Sequence, residues 1–429
     1  MKFVSNIEKT KYEEFVKGNP KSHFLQSYSW GEFSKVCKGL IPHYVGVIDN
    51  DKIIATALLL EKKLPLGYSY FYSPRGFVID YFDMDTLKFF TEEIKKYTKK
   101  HKSIFTKIDP DIIWSEKDNK DNDVSIPYDS KKIFNNIKSL GFRHKGFTKN
   151  FETMQPRYTF RIDMNQSFEE IESKFSKTTK QRIKKANSLN TKVRIGTIDD
   201  IKKFSELMII TENRKNFLSY NLDYYKNLYE IYNKDNKFIL FMGSVNPEEI
   251  LGKYEESLNN IISELDKLPK EGLSKSQNTH KKELIREKES VERTILEYTP
   301  YKNQDEIILN AHAIIIYASK AWVLYAGNHN ILTNTFSNYK TYYEHIKYCY
   351  DNGIKMYDQF GTIGDLSKDN PRLGLHEFKK KFGGDYVEFI GEFDLVTKPF
   401  MYFIFTTLVP IFRKIKREKA KKGLKNEIC

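Results

Sequence analysis

Basic side chains, not nucleophiles, are the chemically suggestive residues of this sequence. Between Lys174 and Lys185 six residues are basic (Lys174, Lys177, Lys180, Arg182, Lys184, Lys185) and none is acidic. On one helix such a cluster suits phosphates, of a nucleic acid or of lipid headgroups, although any single member reads equally as a solvated charge. Asp109, in Ile108-Asp109-Pro110-Asp111, falls at the end of a predicted strand, where α/β folds place site residues. It is suited to take a proton from an amine, and Asp before Pro is also an ordinary turn former. Arg75, in Pro74-Arg75-Gly76, has the same two readings. Spacing alone makes Lys379, in Phe378-Lys379-Lys380, a solvated charge on a lysine-rich helix.

Other chemistries find little support. No Ser/His/Asp or Cys/His constellation stands out. The three cysteines (Cys37, Cys349, Cys429) form no CxxC, and the nine histidines form no HExxH, so neither a disulfide framework nor a metal site is expected. The nearest approach to an acetyl-CoA pyrophosphate loop, Gln359 to Gly364, lacks glycine at the third position after Gln359. A small-molecule acetyltransferase is therefore disfavoured.

The elements that must position these residues read as mixed α/β. Strand-like runs at 43–48, 52–63 and 68–74 alternate with helical stretches at 85–101 and around Phe134–Leu140. A second block repeats the style, with strands at 158–163, 192–195 and 238–243 and helices at 168–188 and 199–213. From Pro247 the pattern changes. Leu251, Tyr254, Leu258, Ile261, Leu265 and Leu268 form one a/d stripe, and Leu284, Lys288, Val291, Ile295 and Tyr298 form another beyond a break with Pro269 and Gly272. Two such stripes predict an antiparallel coiled-coil hairpin, its first arm, 247–268, ~33 Å long. Strands at 311–317, 321–327 and 355–361 and a helix at 337–352 resume the globular pattern. The expected organisation is 1–150 as a first unit, 151–245 with 299–396 as a second, 246–298 as the hairpin, and 397–429 as an apolar and polybasic tail.

The formal net charge of +14 favours a polyanionic partner, and the eight basic residues against one acid at 413–425 supply half of it. The preceding apolar run, 400–412, is too short to span a bilayer. Together they suit either an anionic membrane surface or a core element with a solvated tail. The polar N-terminus carries no secretory signal, so a cytoplasmic protein peripheral to the inner face of the cell membrane is expected.

Nine segments, in order, carry a resemblance: FLQSYSW (24–30), YSPRGFVIDY (72–81), TKIDPD (106–111), GFRHKGF (141–147), QPR (155–157), ELMIITENRKNFL (206–218), YDQFGTIGD (357–365), GLHEFKKKFGG (374–384) and FIGEFD (389–394). The chain thereby resembles the Fem family of peptidoglycan bridge-forming aminoacyltransferases, especially its FemX-like branch. The resemblance implies two tandem acetyltransferase-like (GNAT-like) α/β units with an inserted hairpin that contacts tRNA. It implies transfer of an amino acid, glycine favoured, from aminoacyl-tRNA to the side-chain amine of the third stem-peptide residue of lipid II. Aminoacyl-tRNA is then the co-substrate, no cofactor is needed, and other Fem-type proteins are possible partners. By the same resemblance Lys379 stabilises the tetrahedral intermediate or the terminal ribose, Phe378 stacks on the terminal adenosine, and Lys35 and Arg214 grip the muropeptide diphosphate. Alternatives are an alanyl, seryl or bridge-extending enzyme of the same family, or a non-catalytic tRNA- or membrane-binding coiled-coil protein.

Overall fold

In a computed structural model, residues 1–215, 219–234 and 237–408 are described. The polybasic run 413–425 and Cys429 lie outside them. Two sheets organise the chain. The first has the order β1 (Lys2–Val4), β2 (Ile41–Asp49), β3 (Lys52–Lys63), β4 (Ser69–Ser73), β5 (Ser103–Ile108), β15 (Phe393–Val396), β7 (Phe142–His144). The second has the order β6 (Ile113–Lys117), β14 (Asp385–Phe389), β8 (Tyr158–Asp163), β13 (Met356–Asp358), β12 (Lys320–Asn328), β11 (Ile307–Tyr317), β10 (Phe238–Val245), β9 (Lys192–Ile195).

Both sheets follow one plan. Each is antiparallel except for one parallel pair, β4 with β5 and β12 with β13. Each of those pairs is joined through a helix, Met84–Lys100 and Ser337–Asp351, because parallel neighbours need a crossover. The expected pair of similar α/β units is therefore what the chain adopts. A cut near residue 150 nevertheless fails to separate the sheets. β6 precedes that point and completes the second sheet, and β15 comes from the far end to pair with β5 and β7 in the first.

The hairpin stands at an instructive place. β2 and β3 are joined by Asn50 and Asp51, both with positive φ (45° and 61°), as a tight two-residue turn demands. The equivalent strands of the second unit, β10 and β11, pair out to Val245 and Ile307. Between them the helices Pro247–Lys267 and Lys275–Tyr298 replace that turn. The helices fold back on each other: Glu264 lies 3.9 Å from His280, and the Tyr254 and Tyr298 rings are 6.2 Å apart. Ile261, Leu284 and Val291 are buried between them, whereas Lys288 turns outward to Glu292 at 3.7 Å. At the base, Ile250, Leu251 and Tyr298 join a core with Leu189 and Leu332.

Between the sheets lie the helices Lys9–Gly18, Tyr28–Lys38, Ile201–Lys215 and Leu222–Asn233. Their apolar faces form one core reaching both sheets, from Tyr12, Trp30 and Phe33 to Phe204, Tyr225, Leu228 and Trp322. The units are thus welded through a common apolar layer. The single helix expected at 168–188 is two, Phe168–Ser173 and Lys177–Ser188. Ser176 breaks it, because its side chain caps the Thr179 N–H and its own N–H donates to the Lys381 carbonyl at 2.9 Å. No helix among the described residues is long and apolar enough to cross a membrane.

Candidate active site

A seam of buried charge runs where the two units meet. At its first-unit end β5 finishes in Ile108, and Asp109 follows, buried. Its two oxygens accept from the Tyr72 hydroxyl at 2.7 Å and the Arg75 backbone N–H at 2.6 Å. Burial pushes this carboxyl up to about 7, against the opposing pull of Arg75, with Glu392 adding to the rise. Arg75 adopts positive φ (53°), donates to the Pro156 carbonyl at 2.6 Å, and lies 4.2 Å above the Phe389 ring. Asp109 and Arg75, two of the residues singled out from sequence, are in direct contact.

Arg161 on β8 flanks the same Phe389 ring at 4.8 Å. It reaches back across the junction to Asp111 through two bonds of 2.9 and 2.8 Å, and forward to Asp358 at 2.9 Å. Burial alone would raise the Asp111 carboxyl, yet Arg161, with His23 behind it, holds it well below the usual carboxylate range. The Thr159 hydroxyl and the Phe360 N–H both donate to the other Asp358 oxygen, the latter at 2.7 Å. His23 packs on Trp322 at 4.5 Å. Close by, the Lys320 ammonium donates to the Pro20 and Ser22 carbonyls at 2.6 and 3.0 Å. Burial pushes that ammonium down to about 8.

Lys379 closes the seam. The helix Leu373–Lys380 turns it inward, and its ammonium donates to the carbonyls of Gln359 (2.7 Å), Phe360 (2.6 Å) and Gly361 (2.7 Å). Three acceptors match the three N–H bonds of a charged ammonium; a neutral amine would leave one facing a lone pair. Burial pulls the group down to about 7, and Asp358 opposes this. The loop it grips contains Phe360 at φ 55°, a conformation bulky residues rarely adopt. Asp358 and Lys379 together hold that loop. The reading of Lys379 as a solvated charge from spacing alone is therefore corrected: it is buried, whereas Lys380 bonds the exposed Asp121 at 2.6 Å.

The remaining candidates are more dispersed. Phe378 packs edge-on against Tyr339 (5.1 Å) and Tyr342 (4.9 Å). Arg182 joins that aromatic group, its guanidinium 4.8 Å from the Tyr339 ring and 5.4 Å from Phe336. Lys177, Lys180 and Lys184 are exposed on the same helix, with Lys180 donating to the Ser173 carbonyl at 3.1 Å. Lys35 is exposed on the helix Tyr28–Lys38. The cation that helix folds inward is Lys38, 4.5 Å over the Trp30 ring and pushed down to about 8 by burial. Arg214 is exposed near the end of Ile201–Lys215.

Sequence reasoning missed Arg161, Asp358, His23 and Lys320. Asp111 was in view only as part of the Asp-Pro-Asp turn. It also missed a group on the opposite face of the first sheet, where His43, Glu61 and His101 bring one ligand atom each to within 4.8 Å of one another. Only pairing of β2 with β3 and the end of a later helix join these positions.

The FemAB family model matches residues 7–409. A lipid II:glycine glycyltransferase of Staphylococcus haemolyticus is 30% identical over 425 residues, covering 97% of this chain and 98% of that protein. Its counterpart in Staphylococcus aureus strain MRSA252 is 29% identical over 428 residues with the same coverage. A crystal structure of FemX superposes with a TM-score of 0.74 at 27% identity, covering 94% of this chain and 100% of that one.

Proposed function

Because the chain belongs to the FemAB family, we propose that it is an aminoacyltransferase that moves glycine from glycyl-tRNA to the side-chain amine of the third stem-peptide residue of lipid II. Likeness to lipid II:glycine glycyltransferases over nearly the whole of both chains supports the reaction class. The observation that carries the chemistry is the buried Lys379 ammonium at the end of a seam that begins at Asp109.

The acceptor amine, once deprotonated, attacks the ester carbonyl carbon. The C–N bond forms as the carbonyl electrons move to oxygen, and collapse expels the ribose oxygen of the terminal nucleotide. Asp109, whose carboxyl near 7 suits a general base, takes the proton lost by the ammonium and releases it to solvent, and the second proton, shed by nitrogen as the amide forms, passes to the leaving oxygen. The ester is already activated, so no nucleotide or covalent enzyme intermediate is required. In its protonated form Lys379 supplies a positive charge, held in place, in a water-poor site where oxyanion charge develops. In the free protein its three N–H bonds hold the 359–361 loop, so direct contact with substrate exchanges one carbonyl for a substrate oxygen. Arg182, beside Phe378 and Tyr339, and the exposed Lys177, Lys180 and Lys184 offer a basic, aromatic-edged surface to the tRNA end. Lys35 and Arg214 remain the candidates for the diphosphate.

The chain also presents an apolar edge to the medium, with Leu66, Phe400 and Phe403 exposed at 88%, 75% and 52%. The helix Pro399–Phe403 docks there on Phe105 and Tyr70 through Tyr402 and its neighbours. With the polybasic 413–425 sequence following, this edge fits the anionic membrane surface that carries lipid II. The test is to offer the purified protein lipid II with glycyl-, alanyl- and seryl-tRNA in turn. Mass spectrometry should show one glycine added to the unmodified pentapeptide; addition only to an already glycylated precursor would reject first-position transfer.

A further inference from the structure

His43 on β2, Glu61 on β3 and His101, just past the helix Met84–Lys100, meet on the face of the first sheet turned away from Asp109. Glu61 is buried, and its Oε2 faces His43 Nε2 at 3.1 Å and His101 Nδ1 at 3.5 Å. Its other oxygen is held by the Lys63 ammonium at 2.7 Å. On the far side of His43 the Tyr97 hydroxyl is 2.8 Å from Nδ1. Without an ion, Nε2–H can donate to Glu61 while Nδ1 accepts from Tyr97; with an ion bound at Nε2, the proton moves to Nδ1, where the Tyr97 oxygen can accept it.

We propose that His43, Glu61 and His101 form a site for one divalent transition-metal ion of the zinc type, with water completing its coordination. A lone proton would satisfy one imidazole–carboxylate contact, whereas here two rings converge on one carboxylate oxygen. A tetrahedral zinc ion with N and O ligands near 2.1 Å separates its ligand atoms by about 3.4 Å; the two carboxylate–imidazole separations, 3.1 and 3.5 Å, bracket that value, and the two ring nitrogens lie within 4.8 Å of each other. Two imidazoles and one carboxylate match zinc better than calcium or magnesium. Both histidines keep some exposure, which leaves room for entry and for the water. Lys63 is mostly exposed and contacts only the outer oxygen, so it orients the carboxylate without filling the centre. Because the ligands come from two strands and the end of a helix, the ion would staple that helix to the sheet.

The full chain, freed of metal by chelator and exchanged into chelated buffer, is titrated with zinc chloride by calorimetry and with cobalt chloride by visible absorption. We expect one equivalent of zinc bound at sub-micromolar concentration, four-coordinate cobalt bands, and a melting temperature that climbs with the logarithm of free zinc. Replacing the partly exposed His101 (His101→Gln) should abolish the cobalt bands, and Tyr97→Phe should weaken zinc about tenfold through its lost support. Circular dichroism checks that both variants fold. Zinc binding no tighter than about 100 µM, or binding unchanged in the variant His101→Gln, would overturn the proposal. The readouts do not involve transfer activity, so they stand apart from the proposed glycyl transfer.

Discussion

Replacing Lys379 with methionine separates catalysis from architecture. Methionine keeps most of the volume but removes a buried ammonium and its three bonds to the carbonyls of Gln359, Phe360 and Gly361. Hydrogen bonds to a charged donor contribute roughly 1.5–3 kcal/mol each. Against them stands the burial of the charge, whose depression from 10.5 to about 7 corresponds to about 5 kcal/mol. The two effects largely offset each other, so Lys379→Met should change unfolding free energy by no more than about 4 kcal/mol. The catalytic effect has no such offset. Losing one preorganised electrostatic contact at a developing oxyanion costs roughly 100- to 1,000-fold in turnover. The assay is single-turnover transfer from labelled glycyl-tRNA to lipid II, with urea denaturation in parallel. A folded variant that retained near-normal turnover would refute the assignment. Collapse of the fold would recast Lys379 as an architectural residue.

Three further outcomes follow from the same geometry. Turnover should pass through a maximum near pH 7, rising as Asp109 ionises and falling as Lys379 loses its proton, and Asp109→Asn should both slow the reaction and flatten the rising limb; an unchanged profile would remove Asp109 from proton transfer. Arg161→Met leaves Asp111 and Asp358 buried without their shared partner, so it should cost ~3–5 kcal/mol by denaturant titration, and a loss under about 1 kcal/mol would mean the seam is solvated. Replacing residues 256–293 by a short Gly/Ser linker keeps the packed base of the hairpin; the protein should stay folded by circular dichroism and lose affinity for tRNA in gel-shift assays, and undiminished affinity would place tRNA elsewhere.

The elements governed by local periodicity were legible in the sequence. The hairpin could be read because its stripes recur every three or four residues, and β8 because Tyr158–Asp163 alternates between turns. The helix Leu222–Asn233 escaped because its tyrosines, Tyr224, Tyr225 and Tyr232, pack in a core made by both units and not along a simple stripe. β13 proved shorter than the 355–361 run, since the chain leaves the sheet where Asp358 accepts the Phe360 N–H. Of the seam, Asp109 and Arg75 showed themselves as turn residues. Arg161 did not, because its partners lie 50 and 197 residues away. No local pattern tells a lysine that will meet three carbonyls from the two lysines that follow it.

The exchanged edge strands bear on how the protein can be made. As the chain emerges from the ribosome, the first sheet lacks β15 until residue 396 has been synthesised, although β5 and β7 are complete some 250 residues earlier. Until then the inner edges of β5 and β7 wait with unmet hydrogen bonds, a hazard for pairing with other chains. β6, conversely, is available early and awaits β14. Neither half can be expressed as a finished unit. A chain cut short before Phe393 should need a chaperone, and the missing strand supplied as a separate peptide should rescue it.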